Sequence, residues 1–261
     1  MLVIAGSIVV GLPWKIDVTH YSIESDITQA KVMVIADLHS CRFGKGQKRL
    51  LKIVAKEDPD VIVLPGDFFD ELQEDTATEE LLKGLRGRSV FYVEGNHERR
   101  GTDRQKEVWA SLLQEYGVKY LYDGSYFMKD KNIEVVGLHC MTLPPDMTSE
   151  EVSALFKTDG YRILLSHRNC YADLYSQTAC DLVISGHAHG GQWRIPFLHR
   201  GIFAPQSGFF PSYTEGMHDL NGVKFVISRG MNRSAHGIPR WCNDPEICII
   251  SIGKEKRRSS C

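Results

Sequence analysis

The feature that most constrains this chain is a repeat of short apolar runs, each followed by a segment of helical period. "KVMVIA" (31–36), "DVIVLP" (60–65), "SVFYVE" (89–94), "NIEVVGLHC" (132–140), "YRILLS" (161–166) and "DLVIS" (181–185) read as strands. "GQKRLLKIVAKED" (46–58), "TATEELLKGLRG" (76–87), "DRQKEVWASLLQEYG" (103–117) and "TSEEVSALF" (148–156) read as helices, with capping-type starts at 76 and 148. Strands that are apolar throughout need cover on both faces, and alternating helices supply it, so the class is α/β. From about residue 190 the helical period disappears. There "GVKFVISRG" (222–230) and "EICIISIG" (246–253) read as strands of a second, partly antiparallel sheet. No repeat, linker or low-complexity run divides the chain, and one compact domain over 31–253 is the simplest organisation.

With 261 residues, 43% hydrophobic and 25% charged, the chain can bury a sizeable core. A net charge of −2 gives no basic field for nucleic acid, and none is expected as a partner. Seven cysteines, at 41, 140, 170, 180, 242, 248 and 261, form no C-x-x-C pair. We read them as reduced thiols of a cytosolic catalytic domain, without a disulfide framework. The opening "MLVIAGSIVVGLPW" carries no charge before Lys15. It is shorter than the roughly 20 apolar residues that cross a bilayer, and it lacks the basic start of a secretory signal. Residues 1–30 therefore read as a buried first strand, as an interfacial anchor, or as the remnant of a membrane segment starting upstream. The tail 254–261, "KEKRRSSC", is basic and suits solvent or anionic lipid. We expect a monomer, cytoplasmic or membrane-associated.

The strand ends carry the chemistry. "DLH" (Asp37, His39) follows the first strand, "GD" (Asp67) the second and "GNHE" (Asn96, His97, Glu98) the third. His167 follows "YRILLS", and "GHAHGG" (His187, His189) follows "DLVIS". In open α/β sheets ligands bind beyond the carboxyl ends of the strands, so these residues converge on one edge. Taken singly, each histidine is an ordinary strand-end residue and each GD or GN an ordinary turn. Jointly, five of the ten histidines fall in these clusters. Aspartate, asparagine and histidine without thiolate suit manganese, iron or zinc, and they are too many for one tetrahedral ion. Two ions about 3.5–4 Å apart, sharing a carboxylate, would use them. In an extended "GHAHGG", His187 and His189 would lie about 6.5–7 Å apart and reach around neighbouring ions.

These motifs, "DLH", "GDFFD", "GNHE", "SH" and "GHAHGG", resemble the calcineurin-like metallophosphoesterase superfamily over about residues 31–253. "DVTHYSI" (17–23), "SRG" (228–230), Pro239 and "PEI" (245–247) are most similar to a bacterial branch often tied to membranes. The resemblance implies two mixed β-sheets packed as a sandwich flanked by α-helices, four layers in all. It implies hydrolysis of phosphate esters, phosphodiester or pyrophosphate linkages favoured, by a hydroxide bound at a dinuclear metal centre. By position, Asp37, His39 and His189 would hold one divalent ion, Asn96, His167 and His187 the other, and Asp67 both. Manganese, or an iron or zinc pair, is the implied loading. His97 would sit beside the metals as a general acid. Asp70 would orient a ligand, and Glu98 would support His97.

Substrate choice falls to 190–241, with Trp193, Arg194, Phe197, Phe203, Phe209, Phe210, Tyr213, Arg229, Arg233, His236, Arg240 and Trp241. Most of these aromatics are expected to pack the second sheet. The functional reading is an Arg-studded apolar rim for a lipid- or nucleotide-linked phosphate, with Arg229 or Arg233 clamping the phosphate. His139 ends a strand near the same edge, and Cys41 has no assigned role. The alternatives are a phosphoprotein phosphatase or nuclease of the same fold, and, in a different class, a non-catalytic metal-binding scaffold.

Overall fold

The computed structural model describes residues 15–254 apart from 143, 196–199, 202, 205–207, 210, 236 and 237. The first 14 residues and the tail beyond 254, on which the anchor and lipid-binding readings fall, lie outside the described residues. No helix among the described residues is long and apolar enough to cross a membrane.

Two six-stranded sheets face each other. The first contains β1 (Asp17–Glu24), β2 (Ala30–Val34), β3 (Val61–Pro65), β4 (Val90–Val93) and β5 (Lys119–Tyr120). The second contains β6 (Gly124–Met128), β7 (Ile133–Gly137), β8 (Tyr161–Leu165), β9 (Leu182–Ser185), β10 (Gly216–Leu220) and β11 (Val223–Ile227). The last strand, β12 (Glu246–Gly253), returns to the first sheet between β1 and β2. It runs parallel to β1 and antiparallel to β2. This corrects the expectation that 246–253 joins the second sheet. Ile247 and Ile249 pack on one face of β12 and Cys248, Ile250 and Ile252 on the other. A strand apolar on both faces fits the interior of any covered sheet, so its pattern does not name its neighbours.

Period-two alternation within each strand builds the layers. Val32 and Val34 of β2 meet Ile163 and Leu165 of β8 in the core between the sheets. Met33 and Ile35 point the other way, toward helices α1 (Lys48–Glu57), α2 (Thr76–Leu85) and α4 (Asp103–Glu115). Leu50 and Val54 of α1, Leu81, Leu82 and Leu85 of α2, and Trp109 and Leu113 of α4 fill that outer core at helical spacing. The one-turn helix α3 (Asn96–Arg100) lies between β4 and α4. On the far side, α5 (Ser149–Ser153) and α6 (Ala172–Tyr175) cover Val136, Leu164, Val183 and Phe225. The α/β sandwich is four layers deep, as the family resemblance implies. Thr148 caps α5 reciprocally with Glu151. That helix ends at Ser153, earlier than the predicted 156, because Phe156 turns into the outer core and the Lys157 N–H donates to Glu134. The six described cysteines are free thiols.

Candidate metal centre

β2, β3 and β4 of the first sheet and β8 and β9 of the second run parallel within their sheets. Their carboxyl ends meet, and the loops that follow are buried. Asp37, Asp67 and His167 are at most 1% exposed, and His39, His187 and His189 are under 9%. The backbone of the first loop follows that of the second, with Asp37 N–H donating to Gly66 O at 3.1 Å and His39 N–H to Asp67 O at 2.9 Å.

Five of these residues take left-handed backbone conformations: Asp37, His39, Asp67, His187 and His189, with φ between 46° and 69°. Each costs a non-glycine residue on the order of 1–3 kcal/mol, and such strain persists where the surroundings over-determine it. "GHAHGG" is therefore not the extended segment expected. It turns sharply and enters a 3₁₀ turn at His189–Gly191. That turn, rather than strand alternation, sends the two rings to different partners. Two glycines are required by close approach. Gly66 (φ +85°) would place a Cβ 2.5 Å from His167 Nδ1, and Gly230 (φ +71°) would place one 2.6 Å from Asp37 Cβ.

Besides His39, Asp70 and His97, which overlap the first set through His39, the side chains form two groups whose ligand atoms lie within 4.8 Å of one another: Asp37, His39 and His189, and Asp67, His167 and His187. Asp67 Oδ2 lies between them, 3.6 Å from His39 Nε2 and 3.2 Å from His167 Nε2. Asn96 Oδ1 joins the second group, 3.2 Å from His167 Nε2. Ring orientations are set from behind. His39 Nδ1 is 3.0 Å from Asp70 Oδ2, and His167 Nδ1 is 3.0 Å from Pro65 O, so each turns its Nε2 inward.

The electrostatics call for a cation. Burial raises the Asp37 carboxyl to about 6. Burial would raise Asp67 too, but the charges of His167 and His39 hold it well below the usual carboxylate range. Burial opposes charge on His167, yet Asp67 lifts that ring to about 10, so the buried carboxylates favour positive charge beside them. Burial and His39 depress His189 well below its ordinary value. His39 Nε2 and His189 Nδ1 are buried without hydrogen-bond partners, the latter 3.9 Å from Asp37 Oδ1. Unpartnered imidazole nitrogens beside buried carboxylates fit divalent ions.

Two expected roles are corrected. Glu98 does not touch the His97 ring. Its carboxylate accepts the backbone N–H groups of Phe68 and Phe69 at Oε1, and of Asp67 and Gly95 at Oε2, at 2.7–3.1 Å. It shapes the loop that presents Asp67. Arg229 is not available as a phosphate clamp, because Asp17, Glu215 and Glu246 hold its guanidinium at 3.0–3.3 Å. Arg233 is exposed, with its guanidinium 4.7 Å from the Phe43 ring centre. Of the aromatic rim, Trp193 and Phe209 are exposed, while Tyr213 packs on Phe225. Phe197, Phe210, His236 and the Phe203 side chain lie outside the described residues. His139 is held between Asp123 and Asp146.

Arg240, expected on the substrate rim, is instead fully buried and donates to Asn232 Oδ1 and Arg229 O; sequence reasoning missed Glu71, whose Oε2 is 2.7 Å from His97 Nδ1. It also missed Asn243, which donates to His189 O at 2.7 Å. None lies at a strand end, the signal that marked the rest.

Comparison with known proteins supplies the family. The calcineurin-like phosphoesterase family matches residues 30–191. The uncharacterized metallophosphoesterase YkuE of Bacillus subtilis is 26% identical over 257 residues, covering 92% of this chain and 86% of the relative. Phosphodiesterase YaeI of Escherichia coli is 25% identical over 232 residues, covering 85% of this chain and 82% of the relative. Among solved structures, TT1561 of Thermus thermophilus matches with a TM-score of 0.51 at 12% identity, over 77% of this chain and 89% of that one, a likeness of fold. The chain belongs to the calcineurin-like phosphoesterases, metal-dependent hydrolases of phosphoric esters whose dinuclear centre has its candidate ligand groups here.

Proposed function

We propose that this chain hydrolyses phosphodiester or pyrophosphate linkages at two divalent ions. The observation that carries the reading is the placement of Asp67 Oδ2 between two buried groups of oxygen and nitrogen ligands. Asp37, His39 and His189 would hold one ion, Asn96, His167 and His187 the other, and Asp67 both. Manganese, or iron or zinc, suits this thiol-free set. When bound, such ions lower the pKa of a coordinated water toward neutrality and neutralise the phosphoryl oxygens. The preference for diesters draws support from the name of the Escherichia coli phosphodiesterase.

His97 completes the set. Its ring stands edge-on to His39, with centroids 4.4 Å apart, and its backbone N–H donates to Asp67 Oδ1 at 2.9 Å. With Nδ1 tied to Glu71, Nε2 is the nitrogen presented to substrate. As the P–O bond breaks, its electron pair stays on the leaving oxygen. The His97 Nε2 proton then moves to that oxygen, and the ring becomes neutral. General-acid help of this kind is worth about 10²–10⁴-fold. The exposed Trp193 and Phe209 favour a substrate with an apolar or aromatic leaving portion, lipid- or nucleotide-linked, reached by a monomer at or near a membrane surface.

The test is a substrate panel on manganese-loaded protein: bis(4-nitrophenyl) phosphate, 4-nitrophenyl phosphate, nucleotide-diphosphate lipids, single-stranded nucleic acid and a phosphopeptide. The reading predicts diester or pyrophosphate turnover above monoester turnover. Preference for the phosphopeptide or nucleic acid would replace it with a phosphatase or nuclease, and no turnover with any divalent metal would leave a binding scaffold.

A further inference from the structure

We infer that Glu71, held by Arg100, is the positioning residue that fixes the tautomer and orientation of His97, a task separated here from that of Asp70. The inference rests on the reading of His97 as the acid. "GDFFDE" places two carboxylates side by side, and the fold divides them. Asp70 is committed to the first group of ligands: Oδ2 takes His39 Nδ1 at 3.0 Å and Oδ1 takes the Leu72 N–H at 2.9 Å. It stands 3.5 Å from His97 Nδ1, beyond a good hydrogen bond. Glu71 Oε2 lies 2.7 Å from the same nitrogen, the length of a charge-assisted bond.

Glu71 is itself fixed on three sides. Oε1 accepts Arg100 Nε at 2.8 Å, its backbone carbonyl accepts Gln105 Nε2 at 3.0 Å, and its side chain is only 15% exposed. Arg100 and His97 both belong to α3, three residues apart, so the carboxylate bridges two side chains of a single turn. Gln105 in turn belongs to the reciprocal cap of α4 with Thr102. The His97 ring is therefore referenced to the helical layer, while the His39 ring is referenced to the loop after β3. A carboxylate acceptor at Nδ1 keeps the proton there through the reaction. Nε2 is then the nitrogen that gives its proton to the leaving oxygen and regains one from water afterwards.

The experiment compares Glu71→Met, Glu71→Gln and Arg100→Met with His97→Ala and the wild type, all manganese-loaded, on matched esters with 4-nitrophenyl and alkyl leaving groups. A nitrophenolate leaves without a proton, whereas an alkoxide needs one. Glu71→Met should lower kcat on the alkyl ester by about 10–100-fold and on the nitrophenyl ester by less than about 3-fold, with two ions retained per chain. Glu71→Gln, whose amide oxygen can still accept a hydrogen bond from Nδ1–H, should recover part of the loss. The double variant Glu71→Met/His97→Ala should be no worse than His97→Ala, because residues acting as one unit are not additive. A purely structural Glu71 would lower both esters alike, or lower the melting temperature without changing their ratio, and either result overturns the inference. Should His97→Ala change the ratio while Glu71→Met does not, Glu71 alone is wrong. Should neither change it, the acid role of His97 fails as well.

Discussion

Replacing Glu98 by Gln is a near-isosteric change with a large expected cost. The Glu98 carboxylate faces four backbone donors, two on each oxygen: Phe68 and Phe69 at 2.7 and 2.9 Å on Oε1, Gly95 and Asp67 at 2.8 and 3.1 Å on Oε2. It is 3% exposed, so water cannot replace a lost partner. Burial pushes this carboxyl up to about 7, with Asp67 adding to the rise and the backbone donors opposing it. A glutamine must turn its NH₂ toward one pair of donors, whichever way it flips. Two buried N–H groups then lose their acceptor, at about 1–3 kcal/mol each, or about 2–6 kcal/mol together. Against a total stability of about 5–15 kcal/mol this is severe. At about 2–4 °C per kcal/mol for a chain of this size, the melting temperature should fall by roughly 4–24 °C. The assay is thermal unfolding followed by circular dichroism in chelator, so that metal loss does not confound the comparison. With manganese present, the same variant should bind metal more weakly, since the loop that carries Asp67 loses its shape. A Glu98→Gln protein that melts within about 1 °C of wild type would refute the assignment of Glu98 to this loop.

Other outcomes follow from the same contacts. Gly230→Ala puts a methyl group 2.5 Å from Asp37 Oδ2, so elemental analysis should find the first ion lost or weakened, and two tightly held ions would contradict this. Arg229→Met leaves Asp17 to Lys15 and Glu215 to Arg194 but takes the cation from the buried Glu246, and should cost about 3–5 kcal/mol in thermal unfolding. A raised KM with unchanged melting would instead restore Arg229 to substrate binding. Burial pulls the His139 ring down, but its hydrogen bonds to Asp123 and Asp146 outweigh that and raise it above 6.5. The stability this ring contributes is therefore complete below about pH 6.5 and is lost as pH rises through the raised value. The melting difference between wild type and His139→Asn should shrink over that range, and a constant difference would exclude the ion pairs as its source.

Much of this molecule is legible in its sequence because two strong signals coincide. Continuous apolar runs mark strands that need cover on both faces, and acid or histidine residues placed just beyond those runs mark the edge where ligands gather. The ligand candidates carry both marks. The strands β5, β6 and β10 carry neither. Lys119–Tyr120 is two residues long, while Gly124–Met128 and Gly216–Leu220 are partly exposed edge strands without a clean apolar period. The place of β12 was hidden because strand partners are chosen by long-range packing. The turn at His187 and His189 was hidden because left-handed conformations at non-glycine residues run against local preference and are imposed by the surrounding loops. Glu71 and Glu98 are neighbours in type and position to the residues that were found. Their partners, a ring nitrogen and four amides, exist only once β3, β4 and α3 are assembled.

The central claim is that Asp67 joins two metal sites into one hydrolytic centre. It is tested most directly by elemental analysis of manganese-loaded wild type and Asp67→Asn, with bis(4-nitrophenyl) phosphate hydrolysis read on the same samples. The account predicts two ions per chain and turnover for the wild type, and fewer than two ions with turnover abolished for the variant. An Asp67→Asn protein that keeps two ions and hydrolyses at the wild-type rate would contradict it.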